Sequence, residues 1–223
     1  MPIAVNFCGL GERPRMLEID GSQHSGSGTI VRDAVPFCIL MEEEIHLRNI
    51  RAKRDKPGLR PQHVKVLEAA AELCGGKLDG GTVGSKEIRF HPGKAIKGGA
   101  FNWDIGTAGS TAMLTLSLIP LGLFAEARSI YTMTGGLFQD FAPSLFHFKH
   151  VLLPTVRKMG VEVEVRIIQP GYVPKGGGPA GTREKVQGVE LRRRNSPHHQ
   201  IRVLRAQVAD IPRHRRIANQ SCA

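Results

Sequence analysis

One sequence element occurs twice, and it constrains the fold more than any other feature of the 223 residues. Asp20-Gly21-Ser22-Gln23-His24-Ser25-Gly26-Ser27-Gly28-Thr29 and Asp104-Ile105-Gly106-Thr107-Ala108-Gly109-Ser110-Thr111 are both Asp- and Gly-bearing turns. Each follows a short strand-like segment and precedes apolar residues at helical spacing. Met16–Asp20 reads as a strand and Thr29–Met41 as a helix, with Pro36 expected to bend it or to sit near its first turns. Ile45–Ile50 alternates like a strand. Pro61 opens a helix to Leu73, which Gly75-Gly76 closes. Short strands follow near Lys77–Asp79 and Glu87–Phe90. The order then recurs: strand Phe101–Ile105, helix Ser110–Ala125, strand Ser129–Met133, helix Pro143–Met159, strand Val161–Ile167, and an extended segment after Gly171–Gly178. The spacing thus predicts two β-α-β-α-β-β units sharing a core, an α/β (α+β) fold. Arg192-Arg193-Arg194 and Pro197-His198-His199 read as a linker or loop.

Composition narrows the class. Hydrophobic residues are 41% and charged residues 23%, which excludes a disordered polyelectrolyte. The longest apolar run, Met113 to Ala125, is too short to span a bilayer and is broken by Thr115, Ser117, Pro120 and Gly122. No basic segment followed by an apolar core opens the chain, so no signal peptide is expected. Cys8, Cys38, Cys74 and Cys222 form no CxxC pair, which argues against a zinc site or a disulfide framework and for an intracellular protein.

The net charge of +11 calls for an anionic partner, and nucleic acid is the usual one. Residues 183–223 hold ten basic and three acidic residues, so most of the excess lies there. A solvated surface explains that tail. The cluster Arg48, Arg51, Lys53, Arg54, Lys56, Arg60 and Lys65 is opposed only by Asp55. It surrounds a Pro57-Gly58 turn, more cations than a structural strand–helix connection requires. Arg51, Arg54 and Arg60 supply forked donors suited to phosphate oxygens. Gln62 and His63 stand at the following helix start. In the first loop, Gly26 and Gly28 would let backbone N–H groups approach an anion, with Arg32 one turn into the helix. A tight β–α turn explains that loop equally well. Gly176-Gly177-Gly178 suits close backbone approach. His147 and His150 read as partly exposed histidines, and Glu42-Glu43-Glu44 as a solvated helix end.

These motifs, taken together, resemble the RNA 3′-terminal phosphate cyclase family. The resemblance rests on Asp20-Gly21-Ser22 with Gly26, Gly28 and Arg32, on Ile50-Arg51-Ala52 and Lys56-Pro57-Gly58-Leu59-Arg60-Pro61-Gln62-His63, and on Thr107-Ala108-Gly109-Ser110. Gly135-Gly136 with Ala142-Pro143, and Gly171-Tyr172 with Pro174-Lys175-Gly176-Gly177-Gly178, complete it. It runs from about Met16 to Pro212. It implies repeated units like the C-terminal domain of translation initiation factor 3, with a small inserted α/β domain. The corresponding division is an extension at 1–15, repeats at 16–98 and 99–184, and a partial inserted domain with a basic tail at 185–223. The implied chemistry is ATP-dependent adenylation of a histidine, transfer of AMP to an RNA 3′-phosphate, and closure of a 2′,3′-cyclic phosphate.

The resemblance assigns phosphate or RNA contacts to Arg32, Arg51, Arg54, Arg60, Gln62 and His63, and ATP contacts to Gly26, Gly28 and Pro143. ATP, RNA with a 3′-phosphate end and a divalent metal (Mg or Mn) are the implied ligands, with no membrane. Three positions depart. Ser25 and Thr29 replace a glutamate associated with the metal and a glutamine, and Leu116 replaces a further glutamine. The family's nucleophilic histidine belongs to a third repeat, expected beyond Ala223, and none of the nine histidines matches it. The resemblance thus marks the sequence to Ala223 as an incomplete cyclase. The chain alone is therefore expected to be inactive in adenylation and to self-associate through a repeat face left exposed, with helix Ser110–Ala125, apolar almost all round, as the reason. The competing reading is a non-catalytic RNA-binding, ribosome-biogenesis paralogue. Gln62-His63 matches the cyclase branch, whereas Ser25, Thr29 and Leu116 pull the other way. Enolpyruvyl transferases, built from the same repeats, are a remote third.

Overall fold

A computed structural model describes residues 16–138, 142–169 and 184–193. The elements run β1 (Met16–Asp20), α1 (Thr29–Met41), β2 (Glu44–Arg48), α2 (Pro61–Cys74), β3 (Lys77–Asp79), β4 (Ile88–His91), β5 (Gly99–Asp104), α3 (Thr111–Phe124) and β6 (Ser129–Gly135). Then come α4 (Leu145–His147), a π turn at Phe148–Leu152, α5 (Leu153–Arg157), β7 (Val161–Gln169) and β8 (Glu184–Arg193). The fold is mixed α/β.

Two four-stranded sheets have the same topology, β1-β2-β4-β3 and β5-β6-β8-β7. In each, the first two strands pair in parallel and the rest antiparallel. The repeat read from the turns is thus a repeat of strand order. A parallel pair needs a crossover, and the helix after each Asp-Gly turn supplies it.

Sheet alternation sorts the faces. On β2, Ile45 and Leu47 are fully buried, and on β4 Ile88 and Phe90 are. They lie under α1 and α2, whose Val31, Val35, Val66 and Leu67 complete that side of the core. The opposite face is polar and cross-linked. His46 Nδ1 lies 2.7 Å from Glu18 Oε1, its Nε2 lies 2.6 Å from Glu87 Oε1, and His91 Nδ1 lies 3.0 Å from Glu44 Oε1. The hydrogen bond from His46 holds the Glu18 carboxyl below its ordinary range.

α3 packs on β6 and β8 and also against α1 and α2, so helices of both units meet in the middle. This revises the idea that its all-round apolar surface faces outward. Leu114, Leu118 and Leu121 are buried within this chain, and Leu116 is the one exposed leucine of the helix. Trp103 of β5 donates Nε1–H to Glu72 of α2 at 2.7 Å, tying the second sheet to the first unit. Its ring packs with those of Phe101 and Tyr131.

Three other expectations need correction. The helix read over Pro143–Met159 spans Leu145–Arg157 and is interrupted by the π turn, where Leu153 N–H reaches back to Phe148 O. Pro154 explains it: proline has no N–H to bond the His150 carbonyl, and its ring would clash there in a regular helix. The strand read to Ile50 stops at Arg48, because Asn49 and Arg51 take positive φ of 55°. Arg192 and Arg193, read as linker, lie in β8, which fills the position between β6 and β7. Pro36 lies inside α1 and is buried, and the helix continues past it. The Gly171–Gly178 segment, and the basic tail from Arg194 to Ala223, lie outside the described residues.

Candidate functional site

The C-terminal ends of parallel strands β1, β2 and β5 feed loops that run into the starts of α1, α2 and α3. These three helix starts touch. Gln62 Oε1, at the start of α2, accepts from Ser110 N, the cap of α3, at 3.3 Å. His63 lies against Gly28, the cap of α1. The three helix starts therefore gather in one region, where the positive ends of their dipoles favour negative charge.

The first two loops are pinned together. Asp20 Oδ1 accepts from Ser22 N at 2.9 Å, Ser22 Oγ at 2.7 Å and Asn49 Nδ2 at 3.0 Å. These bonds, led by that from Ser22 N–H, hold its carboxyl below the ordinary range. Lys53 Nζ donates to His24 O at 2.9 Å. The β2–α2 loop is braced from the other side by the β3–β4 hairpin. Ile50 N donates to Lys86 O, Leu59 N to Ser85 O, and Gly84 N to Leu59 O. Gly58, at φ 83°, sits so close that a Cβ there would lie 2.2 Å from Gly84 O. Pro57-Gly58 is a rigid turn for that reason.

His63 is the centre of the arrangement, and only 2% of it is exposed. Its Nδ1 accepts from Arg60 N at 3.1 Å. Burial first, and then Arg32, Arg51 and Arg60, pull its pKa down to about 3. The ring is therefore neutral, and with Nδ1 accepting, its proton sits on Nε2. That Nε2 lies 3.3 Å from Arg32 Nη1. Two donors thus face each other without an acceptor between them. Arg32 Nε is buried and also has no partner among the described residues, while Nη2 donates to Thr29 Oγ1 at 3.2 Å. Burial lowers the Arg32 pKa, opposed by the Asp33 carboxylate, and Arg51 adds to the lowering. Buried unsatisfied donors of this kind are costly, and an anion would satisfy them.

The cations read from the sequence divide into two groups. Arg32 and Arg51 are half-buried beside His63. Arg51 spends Nη1 on its own loop, donating to Lys56 O at 2.6 Å and Gly58 O at 2.9 Å. Arg54 and Arg60 are exposed on the same loop. Gly26 packs on the Lys53 side chain rather than lining the His63 contact. Pro143 is half-buried just ahead of α4. The connection to it begins at Gly136, whose N–H donates to Gly109 O and whose carbonyl accepts from Thr111 N, next to the α3 start.

Sequence reasoning missed two features. The glycine at 28 is dictated by space, since a Cβ would fall 2.1 Å from His63 Nε2. The hairpin brace was invisible except as a density of glycines at 80, 81 and 84.

A sequence profile of the RNA 3′-terminal phosphate cyclase family matches residues 23–196. This chain belongs to that family. Relatives named RNA 3′-terminal phosphate cyclase agree. The Archaeoglobus fulgidus protein is 46% identical over 164 residues, 73% of this chain and 49% of its own length. The Methanosarcina mazei protein is 42% identical over 163 residues, 73% of this chain and 46% of its own. The Nitrosospira multiformis protein is 39% identical over the same share of this chain. The chain spans about half the length of the curated relatives it matches. All the helix starts that form the site fall within the stretch matched by the cyclase family.

No helix among the described residues is long and apolar enough to cross a membrane.

Proposed function

We propose that this chain carries the phosphate-binding half of an ATP-dependent RNA 3′-terminal phosphate cyclase, with units of the kind found in the C-terminal domain of translation initiation factor 3. The observation that carries the reading is the pair of unsatisfied donors, His63 Nε2–H and Arg32, at converging helix starts. A phosphate oxygen of ATP or of an RNA 3′ end supplies the missing acceptor. Arg54 and Arg60, exposed beside it, suit the rest of an anionic ligand. Bound ATP would supply the activated phosphate; Arg32 and His63 would hold and orient it. His63 itself is no nucleophile in this reading, since it is buried and both ring nitrogens are faced by donors.

A divalent metal fits these residues poorly. The first loop offers the hydroxyls of Ser22, Ser25, Ser27 and Thr29, and its Asp20 carboxylate already accepts from three donors. Among the described residues no cluster of His, Cys, Asp or Glu has the arrangement of a metal site. The proposal includes self-association, through the exposed Phe37 and Met41 of α1 or Phe146 and Val151 near α4, rather than through α3.

Binding of a 3′-phosphorylated oligoribonucleotide and of ATP tests the reading. Arg32→Ala should weaken both about tenfold or more, as expected for a charge-assisted contact. Arg54→Glu should weaken the oligonucleotide and lower its salt slope. Arg51 is a poor test, since its loss would collapse the loop it braces. Incubation with α-labelled ATP should leave no covalent label on His63. Unchanged affinities in a folded Arg32→Ala protein, or a label on His63, would overturn the proposal.

A further inference from the structure

A second charged concavity lies far along the chain from the helix-start site. The groove between α5 with its preceding π turn and strand β7 encloses about 760 Å³. Its floor is apolar: Leu153, Val163 and Val165 are buried, and Ile167 is partly exposed. Its rim is cationic, with Lys149, Arg157 and Arg166 and the ring of His150 beside them, against the one carboxylate of Glu164 among the lining residues. Glu164 is bound at 2.8 Å by Arg166 Nε.

The local structure explains how the rim is built. Lys149 and His150 come from the π turn at Phe148–Leu152 and Arg157 from α5, and their i, i+7 and i+8 spacing puts all three on one side of the helical segment, along the same groove. The opposite wall is β7, which among the described residues pairs on one side only, to β8. Cationic walls along an open groove match the chemistry of a single-stranded nucleic acid, whose phosphate backbone tracks positively charged grooves, while the aliphatic floor gives no base-specific contact. A buried small-molecule pocket would be more closed and less charged.

We propose that the groove between α5 and β7 is a sequence-independent seat for the body of a single-stranded RNA, distinct from the terminal-phosphate site at His63. The inference rests on the reading that the ligand of this chain is RNA. The groove binds phosphodiester and needs no terminal phosphate, whereas the His63 site does.

The test uses the full chain and two twelve-nucleotide RNAs of one sequence, ending in a 3′-hydroxyl or a 3′-phosphate. The Lys149→Glu/Arg157→Glu variant should bind both about tenfold more weakly. Its salt slope should fall by roughly 1.4, two single-strand phosphate contacts at about 0.7 each. Its affinity for ATP should be unchanged. A 4-thiouridine RNA should cross-link within residues 149–167 of the wild-type protein. Wild-type affinity for both RNAs in the folded variant, or cross-links confined to residues 51–65, overturns the groove and leaves the terminal site standing. Failure of the wild-type chain to bind either RNA overturns the RNA reading itself, and the groove with it. Equal loss with free phosphate or ATP would mark the groove as a general anion site and also reject the proposal.

Discussion

The two units open with the same turn and close it differently. In the first, Asp20 Oδ1 accepts from Ser22 N at 2.9 Å; in the second, Asp104 Oδ1 accepts from Gly106 N at 2.7 Å. The residue after each Asp donates to the neighbouring parallel strand, Gly21 N to Arg48 O and Ile105 N to Thr134 O. At the helix cap they diverge. Ser110 caps α3 with its hydroxyl, accepting from Met113 N at 3.2 Å. Gly28 caps α1 with no side chain at all. The position that a serine would fill is occupied by the His63 ring. The second unit keeps the better helix start and has no Lys or Arg between Asp104 and Phe124. The first gives up its cap and gains a buried, neutral histidine among arginines. Shared local grammar builds both turns; only one gathers a buried histidine and arginines around it.

Exchanging the caps breaks this comparison most directly. Gly28→Ser places a side chain on the imidazole. We expect a loss of about 3 kcal/mol, the upper range for overpacking, together with loss of nucleotide binding. The reverse exchange, Ser110→Gly, should cost only about 0.3 kcal/mol, because glycine is itself a tolerable cap. Denaturant titration of both variants, with ATP affinity, measures the contrast. Equal stability of the two would show that the His63 contact does not dictate Gly28.

The next effect is the pH dependence of the first unit. His63 titrates near 6.5 when unfolded and near 3 in the fold. Between those values the unfolded chain holds a proton that the folded chain lacks. The stabilisation is complete above pH 6.5 and is lost as pH falls toward 3, by roughly 2 kcal/mol between pH 6 and pH 4. His63→Gln should flatten that part of the stability curve. A variant curve parallel to that of wild type over this range would mean that the ring is not held neutral.

The smallest effect concerns the joint between the units. Trp103→Phe removes the bond to Glu72 while keeping most of the ring packing. We expect a loss of about 1 kcal/mol. The two units should still unfold in one transition, because α3 shares its core with α1 and α2. Two separate transitions, followed by tryptophan-independent circular dichroism, would show instead that each unit closes its own core.

Much of this was legible in the sequence, because it is local. The repeated Asp-Gly turns, Pro61 at a helix start and Gly75 at its end act over a few residues. They located β1, α1, α2 and α3 within one or two residues of where the structure has them. The cationic loop and His63 were likewise marked by their own spacing. What the sequence left open required distant groups to meet. Its alternation could not show that His46 would be enclosed by Glu18 and Glu87, or that β8 would pass between β6 and β7. Pro154 lies in a helix that the periodicity read as continuous, and its effect on the winding emerged only with the backbone. Above all, Gly28 and His63 are 35 positions apart, and the sequence gives each a separate and ordinary explanation. Only packing brings the ring against the glycine, buries it, strips its charge and leaves its Nε2–H facing Arg32. Burial and donor geometry are properties of the assembled chain, so the chemistry of the site was decided there.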